Sequence, residues 1–274
     1  MIETIHQPIV AAIPNYNMAL SLKELLPNLI RQNYDQIVVL DDASSDDSVA
    51  VAKSFENVAV IVGKANLGSG GNRNRILEII PQTSEAIIHF IDADTTLDTT
   101  NTPEKINTVF TDPAVIAMGG LVKNIDGSQF LWNWGDKFTP QAQLSMTLAS
   151  KFSELMATDR SKAEQYWKRF SALMKHTPNP FKEPAVRDVF WVSEANLMIR
   201  AHDFRDIGGF DPNLRVHDIF DIAVKLKLRN QTFRFDPSVI VTHKAIDVRG
   251  DDRQAEEQKA MLYLFRKYGL KLFF

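Results

Sequence analysis

Two aspartates separated by one alanine, Asp92-Ala93-Asp94, follow an apolar run over residues 86–91. On an extended chain, side chains two residues apart point to the same side, so both carboxylates can face one ligand. Carboxylate oxygens bind hard divalent cations such as Mg²⁺ or Mn²⁺, and a bound cation could neutralise a diphosphate. The same pattern also occurs at strand ends, in turns and at helix N-termini without any ligand. Its position in the fold therefore determines whether it is a binding site.

A second acidic segment, residues 41–46, follows another apolar run, QIVVL. Its serines and aspartates suit the start of a helix, where their oxygens accept free backbone N–H groups. Asp42 is explained less well, because two adjacent carboxylates repel each other unless one of them faces a donor. The N–H of a nucleobase is one such donor.

The segment between these motifs, residues 66–74 (NLGSGGNRN), is rich in glycine. Glycines let the backbone approach a ligand closely, and the helix that they open would favour an anion at its N-terminus. The spacing matches neither the dinucleotide-binding G-x-G-x-x-G nor a P-loop. Arg73 would oppose the helix dipole, so we expect it to pair with a carboxylate or with a phosphate or base.

The composition excludes several kinds of site. The 274 residues include no cysteine, so a metal has to bind carboxylate or imidazole groups. A net charge of -3 provides no basic field for nucleic acid. The N-terminal residues do not resemble a secretory signal and no apolar run is long enough to span a bilayer, so we expect a cytoplasmic protein.

Alternating strands and helices must position these motifs. We predict strands over residues 8–13, 36–40, 58–62 and 86–91, with helices over 19–32, 45–55 and after residue 71. This alternation is typical of a mainly parallel α/β sheet, which binds ligands at the carboxyl ends of its strands. Further along we predict strands over 115–122, 190–200 and 233–242, one or two helices over 141–175, and helices over 218–228 and 252–272.

Taken in order, the motifs resemble those of the family 2 glycosyltransferases, which have the GT-A fold. The matching segments are residues 13–17, 39–46, 66–74, 92–94, 194–200, 207–211 and 237–243. The resemblance implies an α/β fold with a mixed sheet flanked by helices, in a single catalytic domain. Its expected parts are a nucleotide-sugar-binding half over 1–122, a helical insertion on the acceptor side over 123–185, an acceptor and catalytic half over 186–250, and a C-terminal helix over 251–274.

The resemblance also implies an activity. It indicates a metal-dependent, inverting glycosyltransferase that moves a sugar from a nucleoside diphosphate, UDP before other nucleotides, to a saccharide, lipid-linked or protein acceptor. The residues that it places at the nucleotide sugar are Pro14, Tyr16, Asp42, Asn66, Gly71, Arg73, Asp92 and Ala93. Those that it implies as ligands of Mn²⁺ or Mg²⁺ are Asp92, Asp94 and His243.

The segment expected to carry the catalytic base departs from the family pattern. The family usually shows Glu-Asp-x-Asp-Leu with Arg or Lys a turn later, whereas residues 216–225 read VHDIFDIAVK. If Asp221 matches the later Asp, Asp218 replaces the Glu and Ile219 occupies the position of the base. If His217 and Asp218 match the Glu-Asp pair, Asp218 is itself the base. We assign the base to Asp218, the nearest carboxylate in either register, with a helix N-cap as its alternative role.

Other segments bear on the acceptor and on rival functions. Glu194 and Trp191 are candidates for the acceptor side, because sugars pack on aromatic faces and bind carboxylates, although Trp191 also suits a core position. The last helix is basic and apolar, so it could contact an anionic membrane or merely cover the sheet. The altered base motif keeps open a protein that binds a nucleotide or glycan without turnover, and a sugar nucleotidylyltransferase is a further alternative.

Overall fold

A computed structural model describes residues 7–136, 138–246 and 253–273. In its first half the elements are β1 Ile9–Asn15, α1 Ala19–Ile30, β2 Gln36–Asp41, α2 Ser48–Lys53, β3 Val58–Val62, α3 Gly68–Asn74, β4 Ile87–Ile91, β5 Thr95–Leu97, α4 Thr102–Phe110 and β6 Ala117–Lys123. In its second half they are β7 Trp134–Gly135, α5 Pro140–Thr158, α6 Arg160–Phe170, β8 Arg187–Val189, β9 Trp191–Val192, β10 Asn196–Arg200, α7 Ala201–Asp206, α8 Asp218–Lys227, β11 Phe233–His243 and α9 Arg253–Tyr268. Short 3-10 helices follow α3 and α9, at Arg75–Glu78 and Gly269–Phe273.

The main sheet is mixed, as the family resemblance implies. Strands β3, β2, β1 and β4 are neighbours and run parallel. Strand β10 lies antiparallel between β4 and β6, and β11 runs parallel to β6. The order is β3-β2-β1-β4-β10-β6-β11-β5, with β8 paired to β11. The carboxyl ends of β1, β2, β4 and β11 therefore meet the amino end of β10 at one edge of the sheet.

Strand β4 shows how the sheet is covered on both faces. All five of its residues are buried, and alternate side chains enter different apolar clusters. Ile87 and Ile91 pack with residues of α1 and α4, whereas Ile88 and Phe90 pack with residues of α7, α8 and α9. This double burial makes the centre of the sheet a firm support for the polar residues at its edge.

The glycine-rich segment becomes helical earlier than predicted. Helix α3 begins at Gly68, whereas the sequence predicts a loop up to residue 71. Gly68 has a φ of +76°, which glycine adopts without steric cost, and this turn leads the chain into the helix. The side chain of Asp42 accepts the backbone N–H groups of Leu67 and Gly68 at 2.9 Å each, so a neighbouring strand end holds the turn in place.

The single strand predicted over residues 190–200 is wrong. Trp191–Val192 pairs with β7 in a separate two-stranded sheet, while Asn196–Arg200 joins the main sheet. The chain changes sheets between these two strands. This change places Glu194 in a loop at the polar edge, next to the end of β4.

The middle of the chain contains two helices. Helices α5 and α6 are separated at Asp159, whose side chain accepts from the backbone N–H of Lys162 and caps α6. They enclose a small apolar cluster of their own, formed by Leu131, Ala149, Phe152, Ala163 and Met174. The assignment of this segment to the acceptor side, and the domain boundaries around it, remain predictions.

The last helix ends earlier than predicted, at Tyr268, and its predicted first residue, 252, lies outside the described residues. Within the described residues, no helix is both long and apolar enough to cross a membrane. The outward side of α9 includes Leu262 and Arg266, which are exposed. The peripheral membrane contact expected of this helix stays a prediction.

Candidate active site at the strand edge

Three potential metal ligands lie together at the ends of β4 and β11. Asp92, Asp94 and His243 each offer one ligand atom, and these atoms lie within 4.8 Å of one another. The imidazole Nε2 of His243 is 3.1 Å from Asp94 Oδ1 and 4.0 Å from Asp92 Oδ2. Sheet topology thus brings together residues about 150 positions apart in the chain.

In this cluster the pKa of Asp94 is lowered and the pKa of His243 is raised. Burial acts to raise the pKa of Asp94, but the hydrogen bond and the charge of His243, with the backbone N–H of Ile246, hold it below its usual value. Burial acts to lower the pKa of His243, but the hydrogen bond to Asp94 and the charges of Asp92 and Asp94 raise it. The cluster therefore favours positive charge at its centre.

The donor set fits a divalent cation of the Mg²⁺ or Mn²⁺ kind, because it combines two carboxylates with one imidazole. Asp94 Oδ2 accepts the backbone N–H of Ile246 at 2.7 Å, which fixes the orientation of this buried carboxylate. His243 Nδ1 is buried and has no hydrogen-bond partner among the described residues. A carboxylate only accepts, so Nε2 carries a proton in its contact with Asp94, and a metal bound at Nε2 would replace that proton while Nδ1 carried the proton of the neutral ring.

Arg73 lies between this cluster and the predicted catalytic base. One of its terminal nitrogens, Nη2, donates to Asp92 Oδ1 at 2.7 Å, and Nη1 lies 3.7 Å from Asp218 Oδ2. Its side chain is buried, and its guanidinium carbon lies 5.6 Å from the centre of the Phe210 ring. Arg73 thus has carboxylate partners, the first of the two alternatives considered, while its contact with a nucleotide stays a prediction.

The donor that Asp42 requires is supplied by the protein itself. Beyond the two backbone N–H groups before α3, Asp42 Oδ1 accepts from Arg75 Nη1 at 3.0 Å. The buried carboxylate therefore has protein donors, and its position beside Asp41 does not by itself require a nucleobase. Asp42 shapes the glycine-rich turn, and its contact with a base stays a prediction carried by the resemblance alone.

The segments at the ends of β1 and β2 are hydrogen-bonded to each other. Asn17 Oδ1 accepts the backbone N–H groups of Ser45 and Asp46, which delays the start of α2 beyond the predicted residue 45. Asn15 is 2% exposed and donates to Asp41 Oδ1 at 2.9 Å, yet its own Oδ1 has no partner within the described parts of the chain. A buried oxygen without a partner can accept a hydrogen bond from a bound ligand. The sequence alone does not distinguish Asn15 from its neighbours in the segment 13–17.

The remaining residues predicted at the nucleotide fall into two groups. Pro14 and Tyr16 are partly exposed at the end of β1, and Asn66 is partly exposed before α3, so their side chains can meet a ligand. Gly71 and Ala93 are buried. The methyl group of Ala93 packs in the apolar core, so Ala93 offers a ligand its backbone, and the nucleotide contacts of Gly71 and Ala93 stay predictions.

Asp218 is the first residue of α8 and is 2% exposed. The N-cap position belongs to His217, so the N-cap alternative for Asp218 is wrong. Asp218 Oδ2 faces Arg73 and Gly70 but has no hydrogen-bond partner among the residues described. The carboxyl group of Glu194 interacts with both Asp218 and Arg73, so two carboxyl groups meet beside one arginine.

Contacts of α8 favour the first of the two registers. Asp221 Oδ2 forms an ion pair with Lys225 Nζ at 2.7 Å, as expected of an Asp followed one turn later by a basic residue. Ile219 is 4% exposed and packs in the core. In this register Asp218 stands where the family has Glu, and an apolar side chain occupies the usual position of the base.

Together, the mixed sheet and its carboxylate-lined edge define the GT-A class of fold. Residues 10–169, more than half of the chain, match the sequence profile of Glycosyl transferase family 2. The protein belongs to this family.

Solved structures share the fold at low sequence identity. The mannosyltransferase PcManGT from Pyrobaculum calidifontis, in complex with GDP-Man and Mn²⁺, is 16% identical with a TM-score of 0.57, over 96% of this chain and 65% of its own. GalNAc-T7 with UDP, GalNAc and Mn²⁺ is 14% identical with a TM-score of 0.62, over 96% and 48%. TarS 1-349 of S. aureus is 16% identical with a TM-score of 0.55, over 94% and 66%.

A curated relative, the O-antigen chain rhamnosyltransferase WbaN of Salmonella anatum, is 26% identical over 85 residues. That match covers 31% of this chain and 26% of WbaN. The similarity thus spans about a quarter of the relative's length.

Proposed function

We propose that this protein is a metal-dependent, inverting glycosyltransferase that uses a nucleoside diphosphate sugar. The observation that carries the proposal is the cluster of Asp92, Asp94 and His243, with Arg73 hydrogen-bonded to Asp92 at the same edge. Family membership supports a glycosyl transfer, and the cluster supplies the charges that a diphosphate donor needs.

Asp92, Asp94 and His243 would hold Mn²⁺ or Mg²⁺. A bound cation neutralises the negative charge that develops on a diphosphate leaving group. Arg73 adds a buried positive charge beside Asp92 and limits the repulsion between the neighbouring carboxylates. Without such compensation, a protein with a net charge of -3 would repel an anionic donor.

For the donor we propose a UDP-sugar. Pro14, Tyr16 and Asn66 have partly exposed side chains near the loops that Asp42 and Asn15 support, so these side chains are accessible to a base and its ribose. UDP is bound in the structure of GalNAc-T7, whereas PcManGT is bound to GDP-Man, which makes GDP-sugars the first competitor. The acceptor is a saccharide, a lipid-linked sugar or a protein.

An inverting reaction requires a base that takes the proton of the acceptor hydroxyl while the donor bond breaks. Asp218 is the candidate base. Its carboxylate lies 3.7 Å from Arg73, which in turn is hydrogen-bonded to Asp92 of the candidate metal cluster. The candidate base and the candidate metal ligand Asp92 thus contact different nitrogens of one guanidinium group.

Thermal unfolding with UDP-, GDP-, CMP- and dTDP-sugars, each with and without Mn²⁺, tests this function. We expect one class of donor, UDP-sugars first, to raise the Tm only when the metal is present. Mixing that donor with saccharide, lipid-linked and peptide acceptors then identifies the transfer product and its anomeric configuration. Stabilisation without metal, or by no donor at all, would contradict the proposal.

A further inference from the structure

Glu194 reaches the polar edge because strand β10 runs antiparallel to its neighbours. Its first residue, Asn196, pairs with Ile91, the last residue of β4. The backbone N–H of Asp92 donates to the carbonyl oxygen of Ala195 at 3.4 Å. The loop that carries Glu194 is thus fastened directly beside the candidate metal-binding segment.

Glu194 and Asp218 form a carboxyl pair of unequal accessibility. The two side chains interact directly, by charge and by a hydrogen bond that forms when one proton lies between them. Asp218 is 2% exposed, whereas Glu194 is only partly buried. Burial, the charge of Asp218 and this hydrogen bond together raise the pKa of Glu194 well above its usual value, against the opposing charge of Arg73.

The surroundings of Asp218 restrict direct contact with an acceptor. A side-chain carbon added at Gly70 would lie 2.8 Å from Asp218 Oδ2, so the backbone of α3 covers this oxygen closely. Arg73 lies on the same side, 3.7 Å away. Glu194 is the partly exposed member of the pair, so an acceptor hydroxyl meets Glu194 before it can meet Asp218.

We propose that Glu194 is a catalytic residue that relays the acceptor proton to Asp218, so that the two carboxyl groups act together as the base. The inference rests on the proposed function of the site. It also accounts for the altered motif: Ile219 is buried in the core and cannot accept a proton, and Glu194 supplies the second carboxylate from another loop.

The relay conserves protons and charge. The acceptor oxygen forms its bond to the anomeric carbon as the bond from that carbon to the diphosphate oxygen breaks, and the diphosphate leaves with the electron pair. The acceptor hydroxyl proton passes to one oxygen of Glu194 while the proton shared by the pair moves to Asp218. Both groups end as carboxylic acids and return one proton to solvent after the products leave.

Four variants test the relay: Glu194→Gln, Asp218→Asn, the double variant, and Glu78→Gln as a matched control on an exposed residue. Gln and Asn keep the shape of the pair but cannot carry the proton. We expect each single variant to lower kcat by about 10² to 10³ while metal-dependent donor stabilisation survives. Because the pair acts as a unit, the double variant should lose little more than either single one. Glu78→Gln should match the wild type.

The pH dependence of kcat distinguishes a relay from a purely structural role. Glu194 faces Asp218 from α8 and Arg73 from α3, and we expect the acidic limb of the profile to report the ionisation of Glu194. We expect Glu194→Gln to change that limb and Glu78→Gln to leave it in place. Turnover of Glu194→Gln within twofold of the wild type, or fully additive losses in the double variant, would overturn the proposal.

Infrared spectroscopy supplies a readout that does not depend on turnover. At neutral pH, the wild type should show the C=O band of a protonated carboxyl group, and Glu194→Gln should lose it. If no donor binds even the wild type, the proposed function fails, while the band still tests the pair. If donors bind but the wild type lacks the band at neutral pH, or Glu194→Gln retains it, the pair does not share a proton and the relay is wrong.

Discussion

Arg73 donates to Asp92 Oδ1 at 2.7 Å and so joins the glycine-rich helix to the candidate metal-binding segment. Both residues follow from motifs that are weak in isolation. Their contact means that a change in the position of α3 is transmitted to the carboxylates at the end of β4. It also fixes one buried positive charge beside the candidate metal ligands.

Two substitutions of Arg73 distinguish the effect of its positive charge from the effect of its two-nitrogen geometry. Arg73→Lys keeps the positive charge but cannot face Asp92 and Asp218 with two separate nitrogens, so we expect kcat to fall at least about tenfold. Arg73→Met removes the charge beside the buried Asp218 and should lower the free energy of unfolding by about 3 kcal/mol. Urea unfolding and turnover measure the two effects. Arg266→Lys, on the exposed side of α9, is the control, and a kcat of Arg73→Lys equal to that of the wild type would contradict the geometric role.

Asp94→Asn tests the candidate metal cluster. The substitution removes the charge that faces His243 and weakens an oxygen ligand, so we expect the affinity for Mn²⁺ to fall at least about tenfold. Donor-induced stabilisation should then require much higher metal concentrations. Titration of Mn²⁺ in a thermal-unfolding assay measures this shift, with Asp206→Asn as the exposed control. An unchanged metal titration would exclude Asp94 as a ligand.

Because of His89, we expect the free energy of unfolding to decrease in mild acid. Its ring is fully buried between Tyr34 and Asn196, and burial lowers its pKa from the usual 6.5 to about 4, although the bond to Asn196 opposes the shift. Because the folded pKa is the lower one, protonation favours the unfolded chain. The contribution is complete above about pH 6.5 and decreases by up to about 3 kcal/mol as the pH falls to about 4.

Urea unfolding of His89→Gln between pH 4 and pH 7 checks this prediction. The variant should be less stable than the wild type at neutral pH, because the contacts with Tyr34 and Asn196 change. Its free energy of unfolding should vary less across this interval. A pH dependence equal to that of the wild type would show that another group is responsible.

Asp211 should stabilise the docking of the last helix except in strong acid. Burial acts to raise its pKa, but hydrogen bonds from Lys267, Asn213 and Tyr263 hold it at about 2. A lowered folded pKa means that the stabilisation is present above the usual value of 3.8 and is lost as the pH falls through about 2.

We therefore expect Asp211→Asn to lower the free energy of unfolding by about 1 to 3 kcal/mol at neutral pH. The difference from the wild type should shrink as the pH falls from about 4 to about 2. Urea titrations at several pH values measure it, again with Asp206→Asn as the control. A difference that stays constant down to pH 2 would mean that the charge of Asp211 is unimportant.

Much of the nucleotide half could be predicted from local signals. The apolar runs that become β1 to β4 are short and fully buried, and the polar segments after them must lie where parallel strands end. The start of α3 at Gly68 and the split of residues 190–200 could not be predicted. Both depend on partners elsewhere in the chain, namely the carboxylate of Asp42 and the strand β7.

By itself, the sequence determined the class of chemistry. The lack of cysteine and the order of the acidic motifs restrict a metal site to carboxylate and imidazole ligands at the strand ends. The fold determines which groups meet: His243 lies beside Asp94, Arg73 between Asp92 and Asp218, and Glu194 near Asp218. The physical reason is that such contacts depend on strand direction and sheet order. These bring distant residues together, whereas composition and periodicity report only on neighbours along the chain.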